Sequence, residues 1–353
     1  MAMAEACPHW LRRLLKAGMR IMPSLYVTEP GSRLHLEGGR LLCLLNDEVL
    51  LAAPSGRVDR VILVAGAQIT TPVMTYLLDR RIRVLFVTRS GACRGTLEHD
   101  PGVNLDLRRT QYVVATDPAQ TLTLAKAFLA GKLANSRTRA MELDQSDDPA
   151  DRLDIDRIAA ALRHLDAAPD LATAMGCEGR AARAYFAVLG RHLRAPWTFT
   201  RRARRPPPDP VNAVLSVVYT LLHEQCRTAL LAVGFDPACG FLHQPRSGRA
   251  ALAMDLMEEF RPVIADPVAW SLFNLRILNP DDFERAANQG GIQLSARGWR
   301  CLAEHYERRL GKRILIPGRA TRTTYRKLIE IQAHALARAV MHPEDPYDAY
   351  RSR

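Results

Sequence analysis

The chain has 353 residues, 48% hydrophobic and 24% charged, which excludes a disordered or collagen-like polymer and leaves room for two domains. Its 49 Lys+Arg against 37 Asp+Glu give a formal net charge of +12, an excess that points to an anionic polymer as partner. The seven cysteines never form C-x-x-C, which argues against a disulfide framework or zinc ribbon and predicts a reducing, cytoplasmic setting.

No run of 18 or more uninterrupted apolar residues occurs, so no membrane partner is expected. Of the basic residues, 44 are arginine and only five are lysine (16, 126, 132, 312 and 327). The ratio has two readings: a planar fork selected for phosphate oxygens, or the codon bias of a GC-rich genome.

Residues 1–23 read as an N-terminal extension. Arg12, Arg13, Lys16 and Arg20 interrupt its apolar run, so it lacks the core of a secretory signal. From residue 24 to 108 the pattern predicts a small β domain. Short runs at 25–27, 34–36, 40–45, 48–53 and 58–64 are separated by Pro30-Gly31, Gly38-Gly39, Asn46-Asp47 and Pro54-Ser55-Gly56, which are turn formers. Asn46-Asp47 between two apolar runs predicts a hairpin. A helix is expected over 71–79, then strands over 83–87 and 93–97.

Beyond Leu107 the period changes to that of helices. One helical stretch is expected over 112–141. Residues 142–156 carry seven acids and read as a solvated connection. Further helices are expected at 155–166, 170–190, 211–233, 250–260, 280–288, 295–310 and 321–341. The expected fold class is α+β. A small N-terminal β-sheet domain (24–108) precedes a larger all-helical catalytic domain (109–345) and a tail (346–353).

Several chemistries are excluded by motif. There is no G-x-x-x-x-G-K-[ST], no G-x-G-x-x-G and no G-x-S-x-G, and His223-Glu224 is not followed by the second histidine of a zinc protease. Nucleotide hydrolysis and dinucleotide redox chemistry are therefore not expected.

Three acidic or histidine-bearing segments and one basic segment remain. Glu178 lies between two glycines at the start of an expected helix; it is either an exposed first-turn glutamate or a carboxylate satisfied by a metal ion or an arginine. His243 ends the run Gly240-Phe241-Leu242, as a hydrogen-bonded structural histidine or as a ligand. Asp255, Glu258 and Glu259 fall at i, i+3 and i+4. That spacing fits either a capping box or three acids gathered around a cation. Between 191 and 205 stand six arginines and no acid, with Trp197 and Phe199 interleaved, followed by Pro206-Pro207-Pro208. Guanidinium groups beside aromatic rings suit a nucleic-acid backbone with stacking bases.

Taken in order, these segments resemble the endonuclease/integrase of CRISPR spacer acquisition, the first CRISPR-associated protein. The resemblance runs from Leu25-Tyr26-Val27-Thr28 through G-x-E-G-x-A-A-R-x-Y-F at 176–186 and R-R-P-P-P-D-P-x-N at 204–212. It continues through Gly240–His243, D-L-M-E-E-F-R-P at 255–262, Tyr306-Glu307 and Tyr325-Arg326. It covers about residues 24–340.

The resemblance implies a metal-dependent DNA endonuclease/integrase that inserts short duplex fragments into a CRISPR array by 3′-hydroxyl transesterification. It implies Glu178, His243 and Glu258 as ligands of Mg²⁺ or Mn²⁺, with Asp255 as a second acid of the catalytic site. It also implies a homodimer through the β domains, joined to a dimer of the small second CRISPR-associated protein as a heterohexamer, with spacer precursor and CRISPR repeat as DNA partners. Expected DNA contacts are Arg183, Arg201, Arg202, Arg204, Arg205, Asn212, Tyr219 and Arg261; for Arg183 and Arg261 an internal ion pair is the competing reading. The competing functions are a general metal-dependent nuclease acting on branched DNA in repair, and a non-catalytic DNA-binding scaffold.

Overall fold

The computed structural model describes residues 24–99, 102, 104–145, 147–203, 206–244, 248–286, 290–316 and 322–352. The extension 1–23 and the expected DNA contacts Arg204 and Arg205 lie outside the described residues. The chain divides into two compact units, one formed by residues up to 100 with 295–300, the other by 101–294 and 301–353.

The first unit holds two four-stranded sheets. In one, β1 (Ser24–Val27), β5 (Arg60–Val64) and β7 (Arg83–Val87) run parallel, and β8 (Cys93–Leu97) closes the edge antiparallel to β7. In the other, β2 (Arg33–Glu37), β3 (Arg40–Leu45) and β4 (Glu48–Pro54) form an antiparallel meander, and the short β6 (Gln68–Ile69) runs parallel to β2. The β3–β4 connection turns at Asn46 and Asp47, both with positive φ (49° and 64°), the backbone that a two-residue hairpin demands and these residue types tolerate. Leu25, Val27, Leu34, Leu41, Val61, Leu63 and Val84 form one core with Val73 and Leu77, both from α1 (Thr71–Asp79).

The second unit is mostly helical: α2 (Leu105–Thr116), α3 (Pro118–Leu143), α4 (Pro149–Asp166), α5 (Leu171–Arg191), α6 (Pro210–Val233), α7 (Ala251–Glu258), α8 (Asp266–Asn274), α9 (Ala296–Leu310, whose first turns belong to the first unit) and α10 (Tyr325–Met341). Two short antiparallel ribbons interrupt it, β9–β10 (Phe283–Arg285 with Ile292–Leu294) and β11–β12 (Arg313–Leu315 with Arg322–Thr324). The chain is therefore α+β as expected, with a second unit that is not purely helical. No described helix is long and apolar enough to cross a membrane.

Four expectations are revised by side-chain chemistry. The stretch 112–141 is two helices, because Pro118 has no N–H to give α2 and Asp117 turns out to cap α3, accepting from the amides of Ala119 and Gln120. The acidic tract is not a solvated connection throughout. Asp151 and Asp154 are buried on α4 and bind Arg191, at 2.7 Å each, while His192 lies 2.5 Å from Asp151. The helix expected over 280–288 is absent from its described residues: Pro280–Asp282 is one tight turn, with Asn279 N donating to Asp282 Oδ2 at 2.8 Å, and it feeds β9. The tail is packed: Tyr347 and Tyr350 are buried, and the Tyr347 hydroxyl donates to Glu259 at 2.6 Å.

Candidate active site

Four elements of the second unit bring the candidate residues together. Glu178 rides in the interior of α5 and not in its first turn, because the helix starts earlier, at Asp170, whose side chain accepts from Thr173 N at 2.7 Å. Glu258 is the last residue of α7, and its neighbour Glu259 points the other way into the protein. There Glu259 accepts from Tyr347, Gln332 and the Tyr350 amide. Burial pushes the Glu259 carboxyl up to about 8 against these donors. Asn135 of α3 ties the same region together, donating to the carbonyls of Glu259 and Tyr350 at 2.8 Å each.

Asp255, one turn before Glu258, is fully buried and holds the loop that carries His243. Its Oδ2 accepts from Phe241 N (2.6 Å) and Leu242 N (2.9 Å), and its Oδ1 from His243 N (2.9 Å). Oδ1 also lies 2.7 Å from His243 Nδ1. With Asp255 ionised, Nδ1 is the protonated nitrogen and Nε2 carries the lone pair. Gly240 makes this close approach possible: a Cβ there would stand 2.9 Å from Asp255 Oδ2 and from the Ala251 backbone. Asp255 is therefore a positioning residue, which settles the ambiguity of the 255–259 acids differently from either reading of their spacing.

The centre of the site is a residue the sequence reading passed over. Lys132 of α3 sends its Nζ to Glu178 Oε1 and to Glu258 Oε2, 2.5 Å from each. Arg261, just past α7, donates from one nitrogen to both Glu258 oxygens at 2.9 and 3.1 Å. Burial opposes ionisation of Glu258, but Arg261 and Lys132 outweigh it and hold the carboxyl well below the usual carboxylate range. Among the described residues, no three His, Cys, Asp or Glu side chains stand close enough together to hold a metal ion. What the structure brings together is a carboxylate pair around one cation, while His243 is held by Asp255. The visible signal for Lys132 was a rare lysine flanked by Phe128, Leu129 and Leu133, all buried, because a lysine among core residues needs an anionic partner.

The expected DNA contacts separate by burial. Arg183 and Arg201 are exposed. Tyr219 and Arg261 are buried: the Arg261 guanidinium lies 4.3 Å from the Tyr219 ring centre, and the Tyr219 hydroxyl donates to Asp266 at 2.6 Å. Tyr185 donates to the other Asp266 oxygen at 2.9 Å, and burial pushes the Asp266 carboxyl up while Arg261 and both tyrosines pull it down. Asn212 is buried and accepts from Ala203 N and Arg202 Nη1, while Arg202 also donates to Ser216 at 3.0 Å. Tyr219, Arg261 and Asn212 are buried within the protein, and Arg202 is half-buried against Asn212 and Ser216. Trp197 and Phe199 likewise pack on Phe273 and Trp270, so they are not free platforms for bases.

The matching family model, described as CRISPR associated protein Cas1, spans residues 25–308 of this chain. The chain belongs to the Cas1 family. It is 33% identical to "CRISPR-associated endonuclease Cas1 3" of Thermus thermophilus, over 93% of this chain and 97% of that protein. It is 38% identical to "CRISPR-associated endonuclease Cas1 2" of Rhodospirillum rubrum, over 75% and 80%. Among solved structures, a casposase bound to integration product superposes with a TM-score of 0.81 at 22% identity, covering 94% of each chain. A Cas6-RT-Cas1–Cas2 complex superposes at 0.78 and 22% identity, over 94% of this chain and 36% of that one. At these identities the structures speak for the Cas1 fold.

Proposed function

We propose that this Cas1 family member is a metal-dependent DNA endonuclease and integrase of CRISPR adaptation, which inserts short duplex fragments into a CRISPR array. The observation that carries the reading is the convergence of Glu178 and Glu258, from separate helices, on a single cation. By chemical type the donors suit a hard divalent ion: two carboxylates that already share one positive charge, and an imidazole whose Nδ1 is taken by Asp255. Glu178, Glu258 and His243 would hold Mg²⁺ or Mn²⁺. When bound, the ion supplies Lewis acidity toward a phosphodiester and its attacking hydroxyl.

The chain's own residues supply the rest. Asp255 fixes the Nδ1–H tautomer of His243 and the path of the 241–243 loop. Arg261 locks the Glu258 rotamer and balances its charge from the protein side. The reaction is an exchange of esters: a 3′-hydroxyl loses its proton and forms one P–O bond, another P–O bond breaks, and the departing oxygen gains a proton. The number of phosphodiesters is unchanged, so no nucleotide need be hydrolysed, in keeping with the missing phosphate-binding motif. With water as nucleophile the same site hydrolyses DNA.

We further propose that the working assembly is a homodimer through the first unit, joined to a dimer of the small second CRISPR-associated protein as a heterohexamer. The test is a half-site integration assay with purified protein, that small partner, a labelled duplex and a supercoiled plasmid bearing the repeat. Joined product that requires a divalent ion and all of Glu178, His243 and Glu258 is expected. Nicking or linearisation without joining would overturn integration in favour of a hydrolytic nuclease.

A further inference from the structure

Two cations meet Glu258, and both are nearly buried: the Arg261 side chain is 8% exposed and that of Lys132 11%, against 4% for Glu258. Arg261 packs over Tyr219. Lys132 lies between Glu258 and the 25% exposed Glu178. The two cations differ in their partners. Arg261 is held by one carboxylate and an aromatic face. Lys132 stands at the point the two carboxylates share, on a flexible four-carbon stem.

Two carboxylates this close repel unless a cation sits between them. A divalent ion bound by the same two oxygens takes that point, and an ammonium cannot remain beside it in a partly buried site without strong repulsion.

We propose that Lys132 is the resident counterion of the metal-free site, and that a divalent cation binds by exchange, releasing the ammonium from both carboxylates. This rests on the reading of Glu178 and Glu258 as metal ligands. The lysine keeps the two glutamates gathered before the ion arrives, sets the affinity with which it enters, and frees one positive charge at the site as it does so. Arg261 stays in place throughout.

Two measurements test the exchange. In the unmodified protein, acylation of lysine amines by an N-hydroxysuccinimide ester is followed by mass spectrometry with and without Mn²⁺. Lys132 is expected to react slowly without the ion and at least about tenfold faster with it, while Lys126 and Lys327 are unchanged. By calorimetry, Lys132→Met is expected to bind Mn²⁺ at least about tenfold more tightly than the unmodified protein, because no ammonium must be displaced. Its metal-free form is expected to melt at a lower temperature.

Lys132 labelling that is unaffected by Mn²⁺, or Lys132→Met affinity equal to or weaker than that of the unmodified protein, overturns the exchange provided that Mn²⁺ binds and Glu178→Gln abolishes that binding. If the unmodified protein binds no Mn²⁺, or Glu178→Gln binds it equally well, the ligand assignment itself fails.

Discussion

Asp255→Asn is the perturbation whose consequence follows most directly from geometry. The carboxylate accepts four hydrogen bonds, three from consecutive main-chain amides and one from an imidazole, at 2.6–2.9 Å. Each oxygen takes two of them. An asparagine offers one oxygen and one NH₂. Its NH₂ strands two amides if it faces Phe241 and Leu242, and one if it faces His243, where the imidazole can switch tautomer and accept. A buried donor left without a partner costs about 1–3 kcal/mol, which is roughly the loss expected in the cheaper orientation. For a unit of this size that corresponds to a drop of about 2–10 °C in melting temperature.

Thermal unfolding, followed by circular dichroism, measures the loss. Hydrogen exchange at Phe241, Leu242 and His243 localises it, and ¹⁵N shifts of the imidazole report loss of the Nδ1–H preference. Melting within about 1 °C of the unmodified protein, with slow exchange retained at these amides, would refute the positioning role.

Arg261→Met should destabilise by about 1.5–3 kcal/mol, because buried Glu258 loses one of its two cations and keeps Lys132; urea titration measures it, and a loss below about 0.5 kcal/mol would contradict the ion pair. Accepting from the Thr173 amide holds the Asp170 carboxyl below its ordinary value, so Asp170→Asn, which keeps an acceptor, should be less stable near pH 6. Since a lowered folded value stabilises above the unfolded value of about 3.9 and is lost below it, that difference should vanish as pH falls further; a gap independent of pH would contradict it. Burial, with Asp236 and Asp255 nearby, pushes the Cys239 thiol up to about 11. At pH 8 iodoacetamide should therefore modify Cys239 at least about tenfold more slowly than exposed Cys93, and equal rates would contradict the shift.

The sequence was most legible where chemistry and local spacing coincide. Alternating runs and turn formers located the strands of the first unit, and Asn46-Asp47 took the backbone their residue types favour. Glu178, His243 and Glu258 were named through the family resemblance, since each local segment alone left a structural alternative open; the structure places Glu178 and Glu258 against one cation. What stayed hidden depended on distant partners. Lys132 is 46 residues from Glu178 and 126 from Glu258 along the chain, so nothing local announces their meeting. Asp151 and Asp154 looked solvated in a run of acids, yet both are buried against Arg191. Trp197 and Phe199 among arginines suggested stacking platforms, but their rings fill gaps beside Phe273 and Trp270. In the terminal segment Tyr347 and Tyr350 are buried because Glu259 needs their donors.

The central claim is a divalent ion shared by Glu178, Glu258 and His243. Anomalous diffraction at the manganese edge, from crystals grown with Mn²⁺, tests it most directly. The account predicts one peak between the two glutamate carboxylates and within ligand distance of His243 Nε2. A site with Lys132 still seated between the glutamates and no peak, or a peak bound by other residues, would contradict it.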